Sequence, residues 1–541
     1  MVTTADILAH SLKELGIRYV FGVPSGNWVD YMAAIEPVDG LDFVLVSNEA
    51  SGAFMADACW RTTGRPAACF ATFGPGACNV STGVCCAFLD RSPMIVLTDE
   101  MGDAMLHRTT QMNIDHQSLF RPMTKWTTRL VPGSVRRTLH EALRIARSEV
   151  PGPVHIGLPT GVATDEAPPR ESCPNMSPAE ILPPDEASLD AMEGLFRRSR
   201  RPLVAVGNTA VRSSLRAELR SILDRYGVPA IETPMAKGMI PEDHPSYAGV
   251  LAHALSDHVA ATHRQADLVV AVGYDPVELN YEEWIPDVPL VHIDTVPADI
   301  DQGDGRAVCN VVGDLKIALQ RIIDCDCETK DWDLTELATR RRHMFARLSP
   351  SPDGFGPTAV LALLRESLPS DGIMTCDVGA HLHLIGQQWK TPAPGCQLMT
   401  NGGSSMGYAI PAAIGAKLSC PDRPVCCVVG DGGFMMMAGE MATAARLGTK
   451  VVFVLVSDGS LSLIRIKQEK KKYARYGTTL RHDSDGYRSG STMFGVPVIA
   501  ATSRDEYERA LTDAFGAEGP VIVEAFVETG DYDRLVLRGN R

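Results

Sequence analysis

Short apolar runs separated by longer amphipathic stretches recur along the whole chain. In the first part they are RYVFGVP (18–24), DFVLVSNEA (42–50), AACFATFGPG (67–76), PMIVLTDE (93–100) and PVHIGLP (153–159). Each is of strand length, and the segments between them are long enough for helices. This is the βαβ rhythm of a parallel sheet covered on both faces. The rhythm returns in RPLVAVGNTAV (201–211), VPAIETPMAKG (228–238), ADLVVAVGYDP (266–276) and PLVHIDT (289–295), and again in IMTCDVG (373–379), KVVFVLVS (450–457) and GPVIVEAFV (519–527). Pro-rich, polar stretches at 162–188 and 348–357 interrupt it and read as surface connections. The pattern therefore predicts an α/β protein of three doubly wound parallel-sheet domains, over 1–165, 186–345 and 356–541.

Blocks one and three each carry a glycine-rich strand exit, which places a ligand between them. In block three a strand ends in Gly430-Asp431-Gly432-Gly433, enters a helix and returns to a strand ending in Ser457-Asp458-Gly459. A doubly glycyl turn frees backbone N–H groups to face an anion such as phosphate. Asp431 would repel that anion unless a hard cation such as Mg2+ shared oxygens with both. If the intervening segment is a crossover helix, the two strand ends lie side by side at the carboxyl edge of the sheet. A lone Gly-Asp-Gly is more often an ordinary turn, and it is neither G-x-G-x-x-G nor a P-loop.

Charge narrows the function. The net charge of −15 over 541 residues disfavours nucleic acid and anionic membranes as partners, and the basic run KQEKKKYARY (467–476) reads as a solvated helix face. The start has a Thr-Thr-Ala-Asp cap pattern before an apolar stripe and no long apolar core, so neither a signal peptide nor a membrane anchor is expected, and the protein is placed in the cytoplasm. Fourteen cysteines without paired C-x-x-C spacing suit buried small residues better than zinc ligands or disulfides.

Taken in order, FGVPSG (21–26), SNEASGAFMADA (47–58), ATFGPGACN (71–79), LFRPMTKW (119–126), GPVHIGLP (152–159), VGYDPVE (272–278), CDVGAH (376–381), GYAIPAAIGA (407–416) and GDGGF (430–434) make the chain resemble the thiamine diphosphate-dependent family related to acetolactate synthase. The resemblance implies a pyrimidine-binding first domain, a Rossmann-like central domain, and a third domain binding diphosphate and Mg2+. It also implies that Glu49 shares a proton with the pyrimidine N1′, activating the cofactor's own amino group as base; an apolar setting at the strand exit would favour such sharing. Read without it, Asn48 is a helix cap and Glu49 a first-turn acid. Met406 matches the apolar residue that bends the cofactor, and the backbone of Ser404 would meet its amino group. Gly379, His381, Gly432 and Gly433 match diphosphate contacts, and Pro24, Gly26, Asn79 and Leu463 further cofactor contacts. His381 and His383 also form an H-x-H pair, but no third metal ligand is evident beside them.

The chain departs from the family pattern at several positions. The second metal ligand is normally Asn, and Ser457 stands there instead, leaving Asp458 or water to share the position beside Asp431 and the Gly459 carbonyl. Met112 replaces a Gln that reaches the active site in many acetolactate synthases; adjacent Gln111 would substitute only if the loop shifted. Ile466 replaces a bulky aromatic, widening the acceptor pocket. Phe73 follows Thr72 with no His of the aryl 2-oxo-acid decarboxylase kind.

The implied activity is decarboxylation of a 2-oxo acid, pyruvate first among candidates, with carboligation to a second carbonyl compound. The alternatives are a non-ligating decarboxylase releasing an aldehyde and a catalytically silent oligomeric subunit. FAD is not expected, because VGNTAVRSS (206–214) lacks the extended glycine run of flavin-binding relatives and VGYDPVE is similar to the flavin-free catabolic branch. A homo-oligomer, dimer or tetramer, is implied, with Glu49 of one subunit facing the diphosphate site of another.

Overall fold

The computed structural model describes residues 2–167, 177–279, 283–300, 307–352, 354–480 and 491–536, so part of the 162–188 connection lies outside the described residues. The chain builds three α/β units. The first sheet comprises β1 (Tyr19–Gly22), β2 (Asp42–Leu45), β3 (Ala68–Ala71), β4 (Ile95–Glu100), β5 (Trp126–Arg129) and β6 (Val154–Pro159), in the order β2-β1-β3-β4-β6-β5. The second comprises β7 (Pro202–Val206), β8 (Ala230–Glu232), β9 (Tyr247–Val250), β10 (Leu268–Val272), β11 (Leu290–Asp294) and β12 (Val308–Val312), ordered β12-β11-β10-β7-β8-β9. The third comprises β13 (Ile373–Cys376), β14 (Gln397–Met399), β15 (Val425–Gly430), β16 (Val451–Ser457), β17 (Ser491–Met493), β18 (Val496–Ala501) and β19 (Val521–Phe526), ordered β14-β13-β15-β16-β19-β18-β17. Every pairing is parallel except β17 with β18.

Apolar side chains on the two faces of each sheet feed separate cores, as buried parallel strands require. In β16, Val452, Val454 and Val456 enter one core while Val451, Phe453 and Leu455 enter another. That second core joins the first and third units. The helix Glu49–Thr63 is buried on all sides from Glu49 to Cys59, and it packs on the helix Ala409–Ser419 through alanines and glycines. A Cβ on Gly415 would stand 2.6 Å from the Met55 carbonyl oxygen, so the small residue permits the helices' close approach. Tyr408 OH donates to Asp57 at 2.7 Å, and Arg61 donates to the Met399 carbonyl at 2.8 Å across the same seam.

No helix among the described residues is long and apolar enough to cross a membrane. The cysteines among them are free thiols, several buried in strands. The chain start forms the expected cap: Thr3 Oγ1 accepts from Asp6 N at 3.2 Å and Asp6 accepts from Thr3 N at 2.8 Å.

Candidate active site

Three strand exits of the third sheet converge. After β15, Asp431 opens the helix Asp431–Met437 with its carboxylate buried; Oδ1 accepts from Gly432 N at 3.0 Å and Oδ2 from Gly459 N at 2.6 Å. Gly459 follows β16 in the left-handed region (φ +70°), and its carbonyl accepts from Leu480 N at 2.8 Å, keeping a second lone pair. Ser457, the last residue of β16, is buried and donates to Glu524 Oε1 at 3.0 Å. Asp458 is committed to its own loop, accepting from Ser460 N at 2.9 Å and Ser462 Oγ at 2.6 Å. After β13, Asp377 is fully buried, and burial pushes its carboxyl up to about 7 even though it accepts from Val378 N and Gly407 N. Motif reading passed over this residue, although a carboxylate at a strand exit was a visible signal.

His381 lies between these exits. A Cβ on Gly379 would stand 2.7 Å from its ring, and one on Gly430 3.3 Å. The ring is buried, burial pulls its pKa down to about 4, and Nε2 has no hydrogen-bond partner among the described residues. Its neighbour in the H-x-H pair, His383, instead packs against His253 at 5.3 Å between ring centroids. A buried nitrogen in want of a partner, a carboxylate for a cation, and glycines whose missing side chains leave the cradle open fit a metal-bound diphosphate. A Cβ on Gly432 would meet Leu461 at 2.7 Å and Met406 Cε at 3.1 Å, and one on Gly433 would meet Asp377 at 2.9 Å.

Met406 is carried on a loop tied to all three units. Gly403 N donates to Asp90 at 3.0 Å, Asn401 Nδ2 to the Glu278 carbonyl at 2.5 Å, and Gly407 N to both oxygens of Asp377 at 2.9 and 3.0 Å. Ser404, exposed beside it, has φ +45°, and its hydroxyl donates to the Asn401 carbonyl at 2.7 Å.

Glu49 belongs to a second group in the first unit. It begins its helix after the Asn48 cap, is 9% exposed, and accepts from Asn79 Nδ2 at 3.0 Å. Glu440 of the third unit accepts from Ser47 N and Asn48 N at 2.9 and 3.0 Å, locking that entry. Phe73 is buried at the preceding glycine turn, whereas Gln111 and Met112 are exposed and Met112 has φ +60°. After β1, Ser25 donates to Asp99 at 2.5 Å between Pro24 and Gly26; a Cβ on Gly26 would have nothing within 4 Å. Leu463 and Ile466 lie on the helix Ser462–Lys470; Ile466 is 3% exposed in the core shared by the second and third units, and Leu463 packs half-buried against it.

The two groups stand at opposite ends of one helix. Asn79 is in the first turns of Pro75–Leu89, while Cys86, seven residues later, touches Gly403 of the Met406 loop. Seven helical residues span about 10 Å.

This fold and these strand exits define a thiamine pyrophosphate enzyme. The families described as "Thiamine pyrophosphate enzyme, N-terminal TPP binding domain", "central domain" and "C-terminal TPP binding domain" match residues 2–119, 189–322 and 377–525, and the chain belongs to that family. It is a thiamine diphosphate-dependent enzyme of the acetolactate synthase type. The acetolactate synthase of Mycobacterium bovis is 30% identical over 88% of the chain and 79% of that protein. The acetolactate synthase large subunit of Corynebacterium glutamicum is 29% identical over 97% and 87%, and the acetolactate synthase of Bacillus subtilis 27% identical over 98% and 94%.

Proposed function

We propose that this enzyme decarboxylates a 2-oxo acid, pyruvate being the first candidate, and ligates the remaining unit to a second carbonyl compound, as acetolactate synthases by name do. The observation that carries it is the convergence of Asp431, Gly459, His381 and Met406 at the strand exits of the third sheet. Thiamine diphosphate supplies the electron sink for the carbon–carbon bond that breaks. Asp431, the Gly459 carbonyl and Ser457 hold Mg2+; Asp458, whose oxygens serve its own turn, leaves the remaining coordination to water. His381 and the Gly379, Gly432 and Gly433 backbones receive the diphosphate, Met406 shapes the space beside Gly432, and Glu49, steadied by Asn79, holds the proton shared with the pyrimidine.

Separation of the Glu49 group from the Met406 group within one chain supports a site assembled between two subunits of a homo-oligomer; the domain bounds 1–165, 186–345 and 356–541 and a cytoplasmic location are further parts of the same proposal. FAD is not part of this proposal. Incubation with pyruvate, Mg2+ and thiamine diphosphate, with and without aldehyde and 2-oxo-acid acceptors, tests the activity. Acetolactate- or acetoin-type products are expected, and free aldehyde alone would refute carboligation.

A further inference from the structure

Behind the glycine turn of the first unit lies a polar chain that the reaction as outlined does not use. Glu100 of β4, His116 and His155 of β6 are buried with their ligand atoms within 4.8 Å of one another, a spacing that would suit a metal. Their lone pairs and protons are instead engaged by neighbouring side chains and one backbone N–H. Gly74 N donates to His116 Nε2 at 3.2 Å. A backbone N–H can only donate, so Nε2 is the acceptor and the neutral ring carries its proton on Nδ1, 2.8 Å from Thr98 Oγ1. The other end is equally determined. Gln117 Nε2 donates to Glu100 Oε1 at 2.5 Å and to the Thr128 carbonyl at 3.1 Å, which turns Gln117 Oε1 toward Thr127 Oγ1 at 2.7 Å. Thr127 must therefore donate to that oxygen and accept from His155 Nδ1 at 2.7 Å, and Thr98 must donate to His155 Nε2 at 2.8 Å.

The direction is thus the same at every link, from Gly74 through His116, Thr98, His155, Thr127 and Gln117 to Glu100. Arg129 closes the chain, donating to Glu100 Oε2 at 2.7 Å and to exposed Asp103 at 2.6 Å. Strand pairing builds the array: Thr127 is the cross-strand partner of His155, and β4 flanks β6 on the other side. Both rings are required neutral. Burial, with Asp115 as the one opposing charge, brings His116 down to about 4, and burial with His116 alongside lowers His155 well below the usual range; Phe120 stacks on His155 at 4.2 Å.

What His116 grips is the entry to the helix Pro75–Leu89, whose Asn79 donates to Glu49. Gly74 is its N-cap, at φ +32°, with no side-chain capping bond, and a Cβ there would stand 2.6 Å from the Met112 carbonyl oxygen. Within the following turn a Cβ on Gly76 would be 3.3 Å from Glu49 Oε1, and Asn79 donates to Oε2. We propose that His116 is a positioning residue, whose Nε2 fixes the Gly74 turn and through it Gly76, Asn79 and Glu49, while the chain of side chains to Glu100 and Arg129 keeps that nitrogen an acceptor. This rests on the role proposed above for Glu49.

Amide hydrogen–deuterium exchange at Gly74 in the full-length protein without cofactor reads the hydrogen bond directly. His116→Asn keeps a polar atom near the Nδ1 position but does not reach Gly74, whereas His116→Gln carries an acceptor to the Nε2 position. In His116→Asn, Gly74 exchange should rise about ten-fold and C2 proton exchange of bound thiamine diphosphate should fall about ten-fold; in His116→Gln both should stay within about three-fold of wild type. Equal behaviour of the two variants, or a Gly74 response without a C2 response, overturns the proposal. If His116→Asn does not fold, wild type and His116→Gln decide: Gly74 protected in both supports it, and Gly74 exchanging like an open loop in either overturns it. Unchanged C2 exchange in Glu49→Gln would refute the role of Glu49 itself, a separate failure.

Discussion

Glu49 is buried at the first turn of its helix, where a neutral amide of the same shape can still meet Asn79. Glu49→Gln should therefore leave stability within about 1 kcal/mol of wild type and retain the cofactor. It should slow C2 proton exchange of the bound cofactor by about 10²-fold or more, as loss of a positioned acid does; NMR of the quenched complex measures this, and a wild-type rate refutes the assignment. Ser457 poses a different question, because its hydroxyl already donates to buried Glu524. An asparagine can keep that donor with its NH2 while turning its carbonyl toward the cation. Ser457→Asn should tighten Mg2+ about five-fold, on the order of 1 kcal/mol, and Ser457→Ala should weaken it. Titration with Mg2+ at fixed thiamine diphosphate decides, and no change in either variant removes Ser457 from the metal's shell.

The loop carrying Met406 is defined by what its glycines touch. A Cβ on Gly403 would lie 2.7 Å from the Cα of Cys86, backbone that cannot yield without moving the helix Pro75–Leu89. Gly403→Ala should cost about 1–3 kcal/mol of stability and weaken cofactor binding, since Asp90 and Asp377 can no longer both hold the loop. Gly26 is the contrast, with nothing within 4 Å of its Cβ position. Gly26→Ala should leave the melting temperature of the cofactor-free protein unchanged, within about 0.5 kcal/mol. A loss of thiamine diphosphate affinity there, measured by calorimetry, is expected if Gly26 lines the cofactor site; equal affinity would remove Gly26 from it.

The molecule as a whole buries ionisable groups of both kinds. Burial raises Asp377 and Glu278 to about 7 and Glu232 to about 8, and lowers His116, His263 and His381 to about 4. The histidines contribute stability that is present above their ordinary pKa near 6.5 and lost as the pH falls toward 4. The carboxylates act oppositely: the native state keeps their protons while the unfolded chain has released them, so stability declines as the pH rises through 7 to 8. Between pH 6.5 and 8 the carboxyls give up their native-state protons, whereas the histidines, neutral in the fold throughout, lose only the half-proton each that the unfolded chain still carries at pH 6.5, so the carboxyls' effect is the larger. The cofactor-free protein should therefore melt lower at pH 8 than at pH 6.5, by calorimetry at constant ionic strength; an equal or higher melting point at pH 8 would show that these carboxyls ionise without cost. Activity should require an assembled species, and full turnover by a monomer in light-scattering-monitored dilution would refute a shared site.

The alternation of apolar runs with helix-length segments, and glycine at the strand exits, were enough to read three α/β units and the chemistry of the Gly-Asp-Gly-Gly turn, because buried parallel strands and phosphate turns are written locally. Strands β5, β9, β12, β14, β17 and β18 were not legible: WTTR is half-buried along its length, VCNVV is interrupted by a polar residue at its centre, and QLM and STM are three residues each, so tertiary pairing and not local pattern makes them strands. The same holds within the site. Glu49, Asp431 and Met406 stood out through their motifs, but Asp377 and Glu440 act by accepting backbone N–H groups from segments remote in sequence. The polar chain from Gly74 to Arg129 joins residues 55 positions apart in the chain. Thr98, His155 and Thr127 carry no spacing signal, for they meet only when β4, β6 and β5 align side by side. Sequence determined which backbone turns and carboxylates were available for chemistry; only the folded sheets decided which buried donors and acceptors hold them in place, because a hydrogen-bond partner is chosen by distance in space and not along the chain.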